Sequence, residues 1–552
     1  MKSSTRRNVL LSSLVLGGSV LLGGVLDGRA EAQTAAPSES RIRTFGQILD
    51  RVEQNYAGKL ESGDLVENAL QGMLRTLDPH SNYLNRDAYT EMKDEQRGQF
   101  YGLGIQITKR GPDKPLTIIA PIDDTPASRA GLQAGDVIFK IEGDETIGMT
   151  VQQAVRRLKG ERGTPVTITI QRSGDTEFFD VTLYRDAIPT KSLPLAYMLF
   201  PDTGFVRISN FTSTTGSELD AALKRLRADG MTRLILDLRS NPGGLLEQAV
   251  QVSEKFLPPG KMVVYTRGRV PGSDQDYLAG RGGERFDLPL IVLVDRHSAS
   301  ASEIVSGAIQ DHDRGLVVGE TTFGKGLVQR VIPLRDGGAL ALTTAKYYTP
   351  SGRLIQRDYT DMDDYFVHPE MEDEDEEGRV GVSPDATPEL QPDKREIRHT
   401  DAGRTVYGGG GITPDYVVRA ERASPVLSRL IRENLIFDFA VRWLGNHPDV
   451  PRDVVAGDAM LEDFRQFVRS KGTAVSDEEF KKDRDTIALT LAARIAAVKW
   501  GTEAESRILA RRDPQVQKAI TLWNEAAELA RRGEEGRREK DRAAAELDRP
   551  QT

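Results

Sequence analysis

Between residues 41 and 52 the apolar positions Ile42, Phe45, Ile48, Leu49 and Val52 recur at helical spacing and predict a helix. A shorter helix is expected over about 64–76. Leu77-Asp78-Pro79-His80 ends it, because Pro79 steers the residue before it out of the helical region. Residues 98–186 read as a compact β-rich unit, with strand-like segments at 104–108, 116–120, 136–141, 165–171 and 177–184 and helical stretches at 126–130 and 150–159. From 187 to about 350 the chain alternates. Strands fit 204–209, 233–238, 262–266, 290–294 and 315–318; helices fit 216–229, 244–256 and 300–311. Such alternation predicts an α/β layer fold.

The pattern lapses over 359–411, which carries the acidic run Glu370-Met371-Glu372-Asp373-Glu374-Asp375-Glu376-Glu377, several prolines and Gly408 to Gly411. This stretch reads as a solvated insertion. The acidic run lacks the alternating acid and glycine pattern of a calcium loop. From about 423 to 534 the chain is helical again, with Leu427, Leu430, Ile431, Leu435, Ile436, Phe439 and Trp443 at helical spacing. These positions pack on the core or form an oligomer contact, and the pattern does not choose between them. The charged end, about 532–552, reads as frayed.

Composition narrows the chemistry. The chain has 552 residues, room for three or four domains at about 150 residues each, and a formal net charge of −9. With no basic block beyond the N-terminus, a nucleic-acid partner is not expected. There are no cysteines, which removes disulfides, thiolate metal sites and cysteine nucleophiles together. The six histidines (80, 297, 312, 368, 399 and 447) show no paired metal spacing, which disfavours a metal hydrolase; the chemistry proposed below needs no metal or other cofactor. Lys2, Arg6 and Arg7, then the apolar or small residues 9–26, then Ala30-Glu31-Ala32, read as an export signal ending near residue 32. Arg6-Arg7 resembles a twin-arginine signal; a general secretory signal that holds two arginines is the alternative. The expected location is periplasmic or otherwise extracytoplasmic, with membrane association left open.

Tyr101-Gly102-Leu103-Gly104-Ile105 sits where a strand begins, and Ala130-Gly131-Leu132-Gln133-Ala134-Gly135-Asp136-Val137-Ile138 follows. A glycine turn lets successive N–H groups converge on a carboxylate, and an edge strand accepts an extended peptide. Both pieces resemble a PDZ domain. The resemblance implies that the N–H groups of Leu103, Gly104 and Ile105 face a peptide terminus. The bland alternative is that Gly102 and Gly104 only shape a turn.

The strand ending at Val294 runs into Asp295-Arg296-His297-Ser298-Ala299-Ser300-Ala301-Ser302-Glu303, small residues that lead into a helix. A serine at such a junction lies near free backbone N–H groups, which with the helix dipole can stabilise an oxyanion. Downstream comes Thr322-Phe323-Gly324-Lys325-Gly326-Leu327-Val328-Gln329. A buried lysine between two glycines has its pKa lowered, and its neutral amine can take a proton from a serine hydroxyl. Ser298, Ser300 and Ser302 are all candidate nucleophiles on this reasoning, and His297 is a candidate base. Asp311, near the helix end, either supports the site or faces solvent.

Together these two blocks resemble the active-site signature of the tail-specific, or carboxy-terminal processing, proteases, a resemblance extending over about 41–420. It implies Ser300 as nucleophile, Lys325 as general base and Gln329 as the residue orienting the lysine. Leu236-Asp237-Leu238-Arg239-Ser240-Asn241-Pro242-Gly243-Gly244 resembles the family's glycine turn. One oxyanion N–H would come from Gly243 or Gly244, the other from Ala301. In a regular strand Lys325 and Gln329 would lie about 13 Å apart, so their contact requires a turn near Gly326.

The fold class expected is an α/β protease core with an inserted β-rich PDZ domain and helical regions at both ends. Its parts are a signal at 1–32, an N-terminal helical region at 41–97, the PDZ domain at 98–186, the core at 187–420 and a C-terminal helical region at 421–552. The function implied is endopeptidase processing of exported proteins from the C-terminal region. The partners are protein or peptide substrates with apolar C-termini, with an adaptor protein and a homo-oligomer left open. PDZ engagement would switch the site on by reordering Lys325. A noncatalytic PDZ scaffold is the main alternative. An NTPase is disfavoured because Gly319 to Lys325 nearly fits a phosphate loop, but Gly326 stands where that loop needs a hydroxyl.

Overall fold

The computed structural model describes residues 37–109, 113–172, 177–281, 283–360, 365 and 396–547. The export signal and the run Glu370–Glu377 lie outside the described residues. Two compact units divide at Met73. The first holds helix Pro37–Asn55 and most of helix Ser62–Arg75. Its predicted apolar face is helical, but Ile42 and Ile48 are well exposed, at 70% and 59%.

Within the second unit, an antiparallel pair of strands, Gln99–Gly102 and Asp186–Pro189, forms a stem. Through it the chain enters and leaves an inserted β-rich domain. That domain's sheet runs Ile105–Lys109, Leu116–Pro121, Val137–Ile141, Pro165–Gln171, Phe178–Tyr184, with Asp144–Glu145 added beside Val137–Ile141. Alternating inward residues such as Val166, Ile168 and Ile170 make its core. Among the described residues, strand Ile105–Lys109 pairs on one side only, with Leu116–Pro121, leaving an edge.

Among the described residues the main sheet has six strands, in the order Leu195–Phe200, Thr203–Arg207, Arg233–Asp237, Leu290–Val294, Leu316–Gly319, Tyr416–Val417. The first pairing is antiparallel and the remaining four are parallel. Leu290-Ile291-Val292-Leu293-Val294 is buried throughout, as a central parallel strand covered on both faces should be. Helices Thr215–Ala228, Leu246–Glu254 and Ala301–Asp311 contribute to the core on one face. Ala510, Val516, Ala519, Leu522, Trp523, Ala526 and Leu529 cover the other.

The C-terminal helices therefore do two things. Residues 510–529 pack on the sheet, while Leu427, Leu430, Leu435, Ile436 and Phe439 belong to a separate helical core that Trp443 packs against. Ile431 is exposed.

Two local expectations differ from the structure. Residues 396–411 were expected to be solvated insertion, but Ile397–His399 and Thr405–Tyr407 pair as a hairpin. Asp401 there is bound by Lys261 and His312, which anchors the hairpin to the core. Of the charged end, residues 532–547 continue helix Trp523–Leu547, and 548–552 lie outside the described residues. A second sheet, built on the paired strands Leu327–Pro333 and Ala339–Tyr348, escaped the sequence pattern.

Candidate active site

Ser300 lies at the turn between strand Leu290–Val294 and helix Ala301–Asp311, with φ 54° and ψ −112°. Such a backbone is strained for a residue with a side chain and persists only where its surroundings hold it. Asp295 gathers the N–H groups of His297 and Ser298 and that of Ser240 from the facing turn. Ser298 Oγ donates to the Leu238 carbonyl at 2.9 Å, and Ser302 Oγ to the Asn241 carbonyl at 3.0 Å. Both of those serines are fully buried, whereas Ser300 is half-buried. Of the three candidate hydroxyls, Ser298 and Ser302 are thus committed to holding the turn. His297 is exposed.

Glu303 joins this turn to the lysine loop. Its Oε2 accepts from the N–H groups of Ser300 (2.8 Å) and Lys325 (2.9 Å). Its Oε1 accepts from Thr322 Oγ1 (2.6 Å) and the Gly324 N–H (2.7 Å). Burial raises the Glu303 pKa, and these four hydrogen bonds oppose the rise. Tyr347 makes a second bridge, its hydroxyl lying 3.1 Å from the Ser300 carbonyl and 2.5 Å from that of Lys325. Burial pushes that phenol well above its usual pKa, so it stays a donor.

Lys325 is itself half-buried. Burial lowers its pKa, while the charges of Glu303 and Asp78 act in the opposite direction. Its Nζ donates to Gln329 Oε1 at 3.1 Å. The contact exists because strand Leu327–Pro333 begins only after Gly326 and carries a register shift between Val328 and Gln329. Gln329 Nε2 in turn donates to the His80 carbonyl. The structure brings the Ser300 and Lys325 backbones together through Glu303 and Tyr347. Among the described residues no hydrogen bond joins the two side chains.

The glycine turn faces Ser300. A Cβ on Gly243 would sit 2.8 Å from Ser300 Cβ and 2.9 Å from the Ala301 nitrogen. Gly243 is buried and its N–H is held by Asn241 Oδ1 at 2.9 Å. Gly244 is exposed, with φ 140°. Ala301, at the helix start, is fully buried.

Sequence reasoning passed over Asp78 and His80, which it treated as a helix end. Asp78 accepts from the N–H groups of His80 (2.8 Å) and Ser81 (2.7 Å) and from Ser81 Oγ (2.7 Å), fixing the turn whose carbonyl holds Gln329. His80 Nε2 lies 2.6 Å from the Tyr365 hydroxyl. Burial first, and then the charge of Lys325, push His80 down to about 4. A carboxylate two residues before a histidine was the available signal, but it has no periodicity to mark it.

In the inserted domain the Leu103 carbonyl accepts from the Ala127 N–H (3.0 Å) and the Gly104 carbonyl from the Ile122 N–H (2.8 Å). A trans peptide points its C=O and the following N–H in opposite directions, so the N–H groups of Gly104 and Ile105 face away from these bonds. Gly104 has φ 77°, and a Cβ there would sit 2.3 Å from Thr125 Cβ, so a side chain is excluded.

Comparison with known proteins places the chain in a family. The chain matches peptidase family S41 over residues 202–365 and the PDZ domain over 117–172. It matches the activating protease CtpB N-terminal domain over 25–88, and the probable PDZ-protease C-terminal helical domain over 426–479. It is 44% identical to a carboxy-terminal-processing protease of Bartonella bacilliformis over 320 residues, 57% of this chain and 73% of that one. With the carboxy-terminal processing protease CtpA of Bacillus subtilis it shares 29% identity over 429 residues, 78% and 84% of the two chains. A solved photosystem II D1 C-terminal processing protease is 28% identical, covering 57% of this chain and 90% of that one at a TM-score of 0.33. The protein is a serine-type peptidase with an embedded PDZ domain. It belongs to the carboxy-terminal processing proteases of family S41.

Proposed function

We propose that the chain cuts exported proteins from their C-terminal region with a Ser300/Lys325 dyad, and that its PDZ domain selects the substrate end. The observation that carries this reading is the half-buried Lys325, its charged form disfavoured, on a loop that Glu303 bonds to the strained Ser300 turn. With one Nζ proton on Gln329, the lone pair of the neutral amine is free for the Ser300 hydroxyl after a rotation of the lysine side chain. Such a rotation is what PDZ engagement would bring about.

In the first step Ser300 Oγ attacks the scissile carbonyl carbon while Lys325 Nζ takes the hydroxyl proton. The resulting oxyanion is met by the Ala301 N–H and by the 243–244 turn. Gly243 N–H is already bonded to Asn241, which favours Gly244 as the second donor. Collapse breaks the C–N bond, and Lys325 delivers its proton to the leaving amine. Water then attacks the acyl-enzyme, giving one proton to Lys325, which returns it to Ser300 Oγ as the acid leaves. A positioned base contributes roughly 10²–10⁴-fold, and each oxyanion donor a further 10²–10³-fold.

An extended, apolar C-terminus would add to the open edge of Ile105–Lys109, its carboxylate on the N–H groups of Leu103, Gly104 and Ile105. Residues 1–32 would direct export. Among the described residues no helix is long and apolar enough to cross a membrane. The test is a tailed test protein incubated with wild type and Ser300→Ala. Loss of cleavage with retained binding of the tail supports the reading; equal cleavage by both refutes it.

A further inference from the structure

The geometry points to Asp513, in the C-terminal helical region, as a positioning residue for the oxyanion turn. This rests on the Ser300 reading above and extends it to a part of the chain more than 200 residues downstream.

The turn from Arg239 to Gly244 is held in an unfavourable shape. Ser240 has φ 56°, Gly243 φ 103° and Gly244 φ 140°. Local preference does not select this path, so neighbouring groups must impose it. Three anchors do so. Asp295 takes the Ser240 N–H at 2.9 Å. Asn241 Nδ2 donates to the Ile208 carbonyl at 2.8 Å, and its own carbonyl accepts from the Ala299 N–H at 3.0 Å. The third anchor is the Arg239 guanidinium.

Arg239 binds Asp237 in a two-pronged pair, Nε to Oδ1 at 2.8 Å and Nη2 to Oδ2 at 2.9 Å. Its remaining nitrogen, Nη1, reaches Asp513 Oδ2 at 2.6 Å and Gln515 Oε1 at 2.9 Å. Asp237 is fully buried, and the Arg239 and Asp513 side chains are only 17% and 22% exposed. The other Asp513 oxygen accepts from the Gln515 N–H (2.9 Å) and Val516 N–H (3.2 Å), capping helix Pro514–Ile520. Gln515 Nε2 donates to the Val418 carbonyl at 2.8 Å, beside the last strand of the main sheet. One carboxylate thus fastens the C-terminal helices to the residue that opens the oxyanion turn. Planar, fork-like pairing fixes the direction of the guanidinium as well as its position. Through it, the packing of 510–529 on the sheet is transmitted to Gly243 and so to Ser300.

The experiment compares Asp513→Asn and Asp513→Ala with wild type in the full chain, with Lys518→Ala on the same helix as control. Asp513→Asn keeps a side-chain oxygen for the helix cap and removes the charge facing Arg239. The readouts are kcat and KM on a peptide amide, and affinity for a peptide boronate, whose tetrahedral adduct fills the oxyanion position. The expected result is a kcat lowered about tenfold in Asp513→Asn, below the hundredfold or more for outright loss of an oxyanion donor. KM should be unchanged, and boronate affinity should fall by the same factor. Restoration of most of the kcat by Asp513→Glu would support a carboxylate role. Wild-type kcat in both Asp513 variants would overturn the inference. So would parallel losses in Lys518→Ala, which would mark a general effect of the helix. Ser300→Ala is run alongside. If it cleaves normally, the Ser300 reading fails. If it is inactive while Asp513→Asn is fully active, only the present inference fails.

Discussion

Lys325 Nζ donates to Gln329 Oε1 at 3.1 Å, across the start of a strand that would hold the two residues apart if it were regular. The amide is fixed by its other end, which donates to the His80 carbonyl. Gln329→Ala should therefore lower kcat by about tenfold or more through loss of aim, a part of what a positioned base contributes. Gln329→Glu should move the ascending, acid-side limb of the pH–rate profile, which is set by deprotonation of Lys325, to higher pH, because a new negative charge favours the ammonium form. An unmoved limb in Gln329→Glu would place the two groups out of contact in the working enzyme.

The Glu303 charge raises the Lys325 pKa against the lowering effect of burial. Removing it in Glu303→Gln should shift the ascending, acid-side limb to lower pH. The maximal rate should also fall, since an amide cannot accept from all the donors that now face the carboxylate. Thr322→Val removes one of those donors and keeps the charge, so it should lower the rate without moving the limb. A limb that stays put in Glu303→Gln would show that the carboxylate is neutral in the working enzyme.

Gly243→Ala places a Cβ 2.8 Å from both Ser300 Cβ and the Ala299 carbonyl, at φ 103°. We expect kcat/KM to fall by about a hundredfold or more. Gly163→Ala is the control: its φ is 82°, but the added Cβ meets open space. It should lose stability by about 1–3 kcal/mol from backbone strain and keep its activity. Comparable activity losses in the two variants would remove the special status of Gly243.

His80 is held neutral, its pKa pushed from 6.5 to about 4. A depressed histidine contributes stability that is complete above pH 6.5 and is lost as pH falls through about 4, because the unfolded chain takes up the proton first. The melting temperature of wild type should therefore drop more steeply between pH 6.5 and 4 than that of His80→Gln. Equal slopes would mean that the ring is protonated in the fold without penalty.

The parts of the site that form local turns were readable in the sequence. A buried apolar strand running into small residues marked the Ser300 junction, and glycines around Lys325 marked a close approach. The α/β alternation and the inserted domain were readable for the same reason, that their patterns have a period. Long-range polar contacts have none. Glu303 stood within the motif but its link to Gly324 and Lys325 depends on the fold, as does the reach of Gln329 to His80. The hairpin of Leu327–Pro333 and Ala339–Tyr348 was missed because its burial is partial and irregular along both strands. Residues 396–411 read as solvated because their glycines and charges are those of a loop, although Asp401 is in fact tied to Lys261 and His312.

The central claim is that Lys325 is the general base for Ser300. Its most direct test is cleavage of a tailed test protein by the chain from residue 33 onwards, wild type against Lys325→Ala, with EDTA in both reactions. Trimming of the tail by wild type and none by Lys325→Ala is the predicted result. Equal trimming by the two would contradict the dyad and turn attention to His297 as the base.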